Sequence, residues 1–327
     1  MLLAGDVGGT KTLLGLFERG EIRPVPRTTR SYLTTSFSTV AEILDVFLRD
    51  VQHPPRITAA ALGVAGPVVH GRARLTNVQR DITADEVRSR LGTARVQLLN
   101  DLEATAHVLE LLTPDEVCVL QEGEPSADGA AAVIAAGTGL GQAYLRRANG
   151  RWVAAASEGG HADFAARTDR EMELVRTLRD RHGRAEIEQV LSGPGLVTLH
   201  RFTHRGGECP LVNDFTAADA PAAISRAGLG GRCQGCADGL RMFVSAYGAE
   251  AGNLALRGLA LSGVYIGGGI APKILPALTS GVFMDAFLAK APMTELLSKV
   301  PVKVILNPEA GLIGAAICAQ ELENRAR

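Results

Sequence analysis

The chain has 327 residues, of which 46% are hydrophobic and 21% charged, and its 34 basic and 35 acidic residues leave a formal net charge of −1. That length allows about two domains of ~150 residues, each with a sizeable core. No basic stripe or charged tail suits nucleic acid or a membrane surface, no apolar run nears the ~20 residues of a membrane span, and 4% aromatic residues are too few for a base-stacking platform.

The first element, Leu2-Leu3-Ala4, enters Gly5-Asp6-Val7-Gly8-Gly9-Thr10-Lys11-Thr12, and Leu13 to Phe17 leads out. The exit is short and apolar, so the pattern is strand, glycine turn, strand. A phosphate loop of the G-x-x-x-x-G-K-[ST] kind would be followed by a helix instead. Asp6 stands just before the turn, where a carboxylate can hold a hydrated Mg²⁺ against phosphates. The N-terminus begins in this strand with no basic segment or cleavage site, so no signal peptide is expected. The five cysteines are odd in number and sparse, which fits reduced thiols in a cytoplasmic protein.

Glu21 to Tyr32 reads as a further strand. Val40, Ile43, Leu44, Phe47, Leu48 and Val51 mark a helix over 36–51, ended by His53-Pro54-Pro55. Ile57 to Ala65 is a buried strand that ends in Gly66-Pro67, Val68 to Leu75 a short hairpin closing at Thr76-Asn77, and Thr83 to Leu91 a short helix. Val96 to Leu99 is a strand that stops at Asn100-Asp101, and Leu102, Ala106, Leu109 and Leu112 mark an amphipathic helix after it. Asp101 therefore lies at the carboxyl end of a strand, where ligands bind in α/β sheets. Taken locally, it equally suits the N-cap of that helix. Leu111 to Glu116 reads as the crossover to a second domain.

The second half opens as the first does. Ala131 to Ala136 is an apolar strand that breaks into Gly137-Thr138-Gly139-Leu140-Gly141. Alternate glycines let the backbone come close to a ligand, and successive N–H groups in such a turn can cradle a phosphate. Gln142 to Arg146 leads away, turns at Asn149-Gly150 and returns through Trp152 to Ala156, and Ser157-Glu158-Gly159-Gly160-His161 follows. One end of this hairpin suits phosphate. The other, with Glu158 and His161, suits a molecule rich in hydroxyls. The echo of Gly5–Thr10 by Gly137–Gly141 suggests duplication of one unit.

Further on, Thr168 to Arg181 is helical, and Ala185 to Val190 is a short helix carrying Glu188. Leu191-Ser192-Gly193-Pro194-Gly195 leads into a helix to Arg205. Gly228 to Gly239 reads as a loop, Leu240 to Arg257 as a long helix, and Leu261 to Ile266 as a strand entering Gly267-Gly268-Gly269, with Pro272 placed as in a first helical turn. Val302 to Leu306 and Ala310 to Leu322 are the last strand and helix. Cys233 and Cys236 form a C-x-x-C pair. A structural zinc site wants four Cys/His ligands, and the other cysteines are solitary with no His pair nearby in sequence, so both are expected to be ordinary small residues at a helix start.

Six stretches together resemble the bacterial glucokinases of the hexokinase–actin superfamily, over essentially the full length. They are Gly5-Asp-Val-Gly-Gly-Thr10, Leu99-Asn-Asp-Leu-Glu-Ala104, Gly137-Thr-Gly-Leu-Gly141, Glu158-Gly-Gly-His161, Leu191-Ser-Gly-Pro-Gly-Leu196 and Gly267-Gly-Gly-Ile270. The resemblance implies an α/β protein with two ribonuclease-H-like domains around a deep cleft. The small domain would comprise residues 1–111 and 308–327, the large one 112–307. ATP phosphates would lie against Gly5, Asp6, Val7, Gly8, Gly9 and Thr10 and against Gly137, Thr138 and Gly139. Adenosine would lie near Gly268 and its neighbours and near Gly311. Glucose would be held by Asn77, Asn100, Asp101, Glu158, His161 and Glu188. Asp101 would be the catalytic base, Asp6 would hold Mg²⁺ through water, and the assembly would be a homodimer. Where the family often has Trp three residues after the Thr76-Asn77 pair, this chain has Arg80. The related repressor–kinase branch carries a zinc-binding Cys/His cluster and sometimes an N-terminal DNA-binding domain, and this chain is expected to have neither.

The activity so implied is phosphoryl transfer from MgATP to the 6-hydroxyl of glucose, in which positioning and charge stabilisation dominate. Two rival readings are a kinase of another hexose or N-acetylated amino sugar, and a nucleotide-switched, actin- or chaperone-like binding protein. The latter has no use for Asn100, Glu158, His161 and Glu188.

Overall fold

The computed structural model describes residues 1–51, 55–75, 80–148, 151–205, 207, 209, 211, 212, 214 and 219–325. They form two units. One contains Met1–Thr113, Ala148–Ala156 and Asn307–Arg327, the other Pro114–Arg147 and Ser157–Leu306.

In the first unit the strands are β1 (Leu2–Val7), β2 (Lys11–Glu18), β3 (Val25–Leu33), β4 (Ala59–Val64), β5 (Val68–Val69), β6 (Arg72–Leu75), β7 (Arg80–Thr83) and β8 (Val96–Asn100). Helices α1 (Val40–Asp50), α2 (Ala84–Leu91) and α3 (Asp101–Ala106) lie between and after them. The main sheet has the order β3-β2-β1-β4-β8. Its first three strands are antiparallel, and β1, β4 and β8 run parallel. Helix α1 starts at Val40, later than the apolar pattern suggests, because the Thr39 hydroxyl accepts the N–H of Glu42 and sets the cap there. A 3-10 turn occupies Thr34–Ser36 instead. Helix α3 ends at Ala106 and a separate 3-10 turn covers Leu109–Leu111, so the amphipathic stretch after Asp101 is two short pieces.

The six-stranded sheet contains β9 (Val117–Gln121), β10 (Ala131–Ala136), β11 (Leu140–Ala148), β12 (Arg151–Ser157), β13 (Gly263–Gly267) and β14 (Val302–Ile305). The helices of the second unit are α4 (Asp169–His182), α5 (Gly193–His204), α6 (Ala220–Leu229), α7 (Gln234–Gly258), α8 (Leu275–Leu278), α9 (Val282–Leu288) and α10 (Thr294–Ser298). The sheet order is β12-β11-β10-β13-β14-β9. β10 is antiparallel to β11 and parallel to β13, which is parallel to β14. Five strands thus repeat the order of the first unit, which is the structural counterpart of the sequence echo. Strand β9, antiparallel to β14, is the addition. Helix α7 begins at Gln234, so the second half of the stretch expected as loop is helical. α11 (Ala310–Asn324) completes the chain and packs on β1 and β4 of the first unit, burying Leu312, Ala315, Ala316 and Ala319.

Each unit has its own core. In the second, Tyr247 and Phe243 of α7 and Phe283 and Phe287 of α9 are wholly buried among β10, β13 and β14. In the first, Leu3, Leu14, Leu16, Leu62 and Phe47 fill the face under α1. Burial at ~25 cal/mol per Å² of apolar surface is the main stabilising term for both. Among the described residues no helix is long and apolar enough to cross a membrane.

Candidate functional site

In the first unit the expected residues gather at the carboxyl ends of three parallel strands. Asp6 of β1 pairs in register with Gly63 of β4, and Gly63 pairs with Leu99 of β8. At ~4.8 Å between neighbouring strands, the ends of β1 and β8 are about 10 Å apart. Gly5 and Val7 are buried in β1, with their backbones in the ladder. A Cβ on Gly5 would lie 2.3 Å from Leu62 Cδ2, so its small size serves core packing. The turn proper is Gly8-Gly9-Thr10. The N–H of Gly8 donates to Lys11 O at 3.0 Å, and Thr34 braces the turn by donating its hydroxyl to Gly8 O and its N–H to Thr10 O, each at 2.9 Å.

Asp6 is half-buried. Burial pushes its carboxyl up to about 6, although the Lys11 charge pulls the other way. Opposite it, Gly311 of α11 leaves room. A Cβ there would come 3.2 Å from Asp6 Oδ2. A carboxylate held in so unfavourable a setting for an anion suits a cation neighbour.

The cap of α3 is Asn100, not Asp101. Asn100 Oδ1 accepts the N–H groups of Leu102 at 2.9 Å and Glu103 at 3.3 Å, while Glu103 accepts the N–H of Asn100 at 3.3 Å. This reciprocal arrangement is a capping box. Asn100 Nδ2 also donates to Gly66 O at 3.2 Å, tying the strand end to the Gly66-Pro67 turn. Asp101 is the first residue of the helix, and its Oδ1 accepts the N–H of Leu102 at 2.9 Å. Asn77 lies outside the described residues.

In the second unit the expected residues form one group, and one expectation is corrected. The Glu158–His161 turn is at the same end of the hairpin as Gly137–Gly139, with Gly160 against Leu140. A Cβ on Gly160 would lie 2.1 Å from Leu140 O. Glu188 completes the group from the 3-10 turn Ile187–Gln189, its Oε2 accepting the N–H of Leu140 at 2.8 Å. It passes directly over Gly139, where a Cβ would stand 2.6 Å from that oxygen. The turn is closed from below. The N–H of Gly137 donates to Gly139 O and that of Gly193, at the head of α5, to Gly137 O, each at 2.8 Å. Thr138 and Gly268 are exposed, and Gly268 has φ +84, a conformation that favours glycine.

Two residues of this unit escaped the sequence reading. Glu186 places Oε2 3.5 Å from His161 Nδ1, and the donor atoms of His161, Glu186 and Glu188 lie within 4.8 Å of one another. Its signal was the alternation Glu186-x-Glu188 at the start of a 3-10 turn. Tyr247 lies wholly buried beneath both glycine turns. Its hydroxyl accepts the N–H of Ala136 at 3.1 Å and donates toward Ile134 O at 3.1 Å and Gly267 O at 3.2 Å. Nothing in the sequence marks a core tyrosine as a brace for strand ends.

The cysteines are a second correction. Cys233 and Cys236 meet Cys209 and the histidine pair His200 and His204 of α5. The histidines lie 29 or more residues before the C-x-x-C pair, which is why local spacing did not show them.

The family model for Glucokinase matches residues 3–322. The glucokinase of Nostoc punctiforme is 38% identical over 340 residues, covering 98% of this chain and 99% of that protein. Among solved structures, a glucokinase from an Antarctic psychrotroph has a TM-score of 0.85 at 30% identity, covering 98% of each chain. A ROK family glucokinase from Streptomyces griseus, solved in complex with glucose and AMPPNP, shares the fold at a TM-score of 0.68 and 20% identity, covering 98% of this chain and 99% of that one. The common α/β fold is of the hexokinase–actin type, and the match in sequence runs almost end to end: the chain belongs to the glucokinase family.

Proposed function

We propose that this sugar kinase transfers the γ-phosphoryl group of ATP to the 6-hydroxyl of glucose, with Asp101 as the general base. The observation that carries the reading is the carboxyl end of the first sheet. There Asn100 caps α3 and clamps to Gly66, so the backbone that bears Asp101 is fixed. Asp101 would accept the hydroxyl proton as the sugar oxygen attacks phosphorus. The second N–H of Asn100 Nδ2 would reach a sugar oxygen. Glu158, His161 and Glu188 would bond the remaining hydroxyls, with Glu186 orienting the His161 ring. The N–H groups of Gly9 and Thr10 and of Thr138 and Gly139 would receive phosphate oxygens, those of Gly8 and Gly137 shaping the turns through Lys11 O and Gly139 O, and Gly268 would lie beside the adenosine. Asp6 would hold Mg²⁺ through water, and the ion would supply neutralisation of charge between the phosphates.

Support for glucose and ATP as the pair comes from the glucokinase relatives and from the glucose and AMPPNP in the Streptomyces griseus enzyme.

A coupled assay with glucose and ATP on wild type and Asp101→Asn tests the reading. Removing a general base costs ~10²–10⁴-fold, so kcat should fall that far. Thermal stability should hardly move, because the cap is Asn100, and calorimetry should still detect glucose binding. A variant with near-normal kcat removes Asp101 from the chemistry. A wild type inactive on glucose but active on another hexose changes the substrate while leaving the base in place.

A further inference from the structure

Phosphoryl transfer leaves one group of reactive side chains without a role. It lies at the far end of α5 from the Gly137 turn, ~18 Å along a helix of 12 residues. His204 is the last residue of α5, Cys209 stands in the connection to α6, Cys233 caps α7, and Cys236 lies in its first turn.

The distances are those of a coordination polyhedron. Cys209 Sγ is 3.7 Å from Cys236 Sγ and 3.9 Å from Cys233 Sγ, and His204 Nε2 is 3.2 Å from Cys233 Sγ. The donor atoms of His204, Cys209 and Cys236, together with a ring nitrogen of His200, all lie within 4.8 Å of one another. A tetrahedral zinc ion with Zn–S ~2.3 Å and Zn–N ~2.0–2.1 Å has S···S edges of about 3.8 Å and S···N edges of about 3.5 Å. A disulfide would need ~2.0 Å, about half the sulfur separations seen.

Three further observations point the same way. First, His204 Nδ1 lies 2.8 Å from His200 O, a carbonyl that can only accept. The proton is thereby placed on Nδ1, and the Nε2 lone pair faces the thiols, as in metal-bound histidines oriented by a backbone carbonyl. Second, Gly235 between the two helix cysteines makes room for that ring, since a Cβ there would lie 2.5–2.8 Å from its atoms. Third, two of the thiols are shut from solvent, Cys209 5% and Cys236 0% exposed, with Cys233 and His204 half-buried beside them. His200 does not compete for the fourth position. Its ring is stacked on His204 at 3.8 Å and 20°, alongside the ligand ring, whereas Cys233 lies 3.2 Å from His204 Nε2 and 3.9 Å from Cys209 Sγ and is the better fourth donor.

We propose that Cys209, Cys233, Cys236 and His204 hold one structural Zn²⁺ ion that ties the α5–α6 connection to the first turn of α7. Binding is redox-neutral. The three thiols give up their protons to solvent as the Zn–S bonds form, and the imidazole binds neutral. The tie also steadies the wall beside the proposed phosphate turn, because Pro221 of α6 packs 3.4 Å from where a Cβ on Gly193 would sit, and Gly193 bonds to Gly137 O.

The test uses the full chain, freed of any affinity tag. Elemental analysis should find about one zinc per chain. Protein stripped by a chelator and reloaded with Co²⁺ alone should show the intense d–d bands of a tetrahedral ion and thiolate-to-cobalt charge transfer. Stripping should lower the melting temperature and Zn²⁺ should restore it. Cys209→Ser and Cys236→Ser should abolish metal content, while Cys118→Ser, Cys318→Ser and His200→Ala should retain it. Should a ligand variant fail to fold, the wild-type metal content and cobalt spectrum decide. A metal-free wild type with only an octahedral cobalt spectrum would overturn the site, as would a disulfide among these cysteines in the native protein. Folded Cys209→Ser and Cys236→Ser variants with unchanged metal would do the same.

Discussion

Asp6→Asn should make the unliganded protein more stable and the enzyme much slower. Burial lifts the Asp6 carboxyl from 3.8 to about 6. Each tenfold change in an ionisation constant is worth about 1.4 kcal/mol, so holding Asp6 ionised costs the folded state up to about 3 kcal/mol near pH 7.5. The sign follows from the folded value lying above the unfolded one. Below about pH 3.8 both states are protonated and nothing is lost. The cost grows as pH rises toward 6 and is complete above it. Asparagine keeps the shape without the charge, so its advantage should be about 3 kcal/mol near pH 7.5 and about half that near pH 5. Denaturant titrations read by amide exchange in β1 and β4 would measure it at both pH values. With Mg²⁺ and ATP present the order should reverse in activity, because the variant lacks the carboxylate that would hold the ion, and kcat should drop by ~10²-fold or more. A variant no more stable than wild type near pH 7.5, or equally favoured at both pH values, would refute the charge argument. Unchanged kcat would refute the assignment of Asp6 to the cation.

Three further outcomes are expected. His161→Ala should raise KM for glucose by about tenfold, the worth of a lost hydrogen bond, with KM for ATP nearly unchanged, and equal effects on both substrates would count against a sugar-side role. Tyr247→Phe strands the buried N–H of Ala136 and should cost about 1–3 kcal/mol in a denaturant titration, with KM for ATP rising as the strand ends beneath the glycine turns loosen. Gly160→Ala drives a methyl into Leu140 O, so it should lower stability by about 1–3 kcal/mol and raise KM for glucose, whereas a neutral result would mean that the Glu158–His161 turn is free to shift.

Local signals carried the first sheet well. The Gly8–Thr10 turn, the parallel strands β4 and β8 and the capped helix α2 all follow from periodicity and turn chemistry within a few residues. The N-cap of α3 was misplaced on Asp101: Asn and Asp cap about equally well, and Glu103 three residues after Asn100 is the capping-box partner that would have selected Asn100. Strand β9 and helices α8–α10 were missed because they are short and carry little apolar pattern, and α6 because its buried stripe of Ala220, Ile224 and Ala227 is mostly alanine and gives little contrast. What no window could show is contact across long separations. His204 meets Cys233 over 29 positions, and Glu188 meets Leu140 over 48.

The duplicated sheets show why such contacts carry the function. Both units bring parallel strands to a common edge in the same order, so the repeated topology supplies the same blank position twice. The side chains placed there then differ. In the first unit the edge holds Asp6 and Asp101, the carboxylates proposed for a cation and for a proton. In the second it holds glycine turns whose N–H groups suit anions, with Glu188 drawn over Gly139 only because no Cβ intervenes. Each edge therefore suits a different charge, the first a cation and the second an anion. Exchanging the two kinds of edge residue would leave each sheet able to form and neither able to serve the reaction.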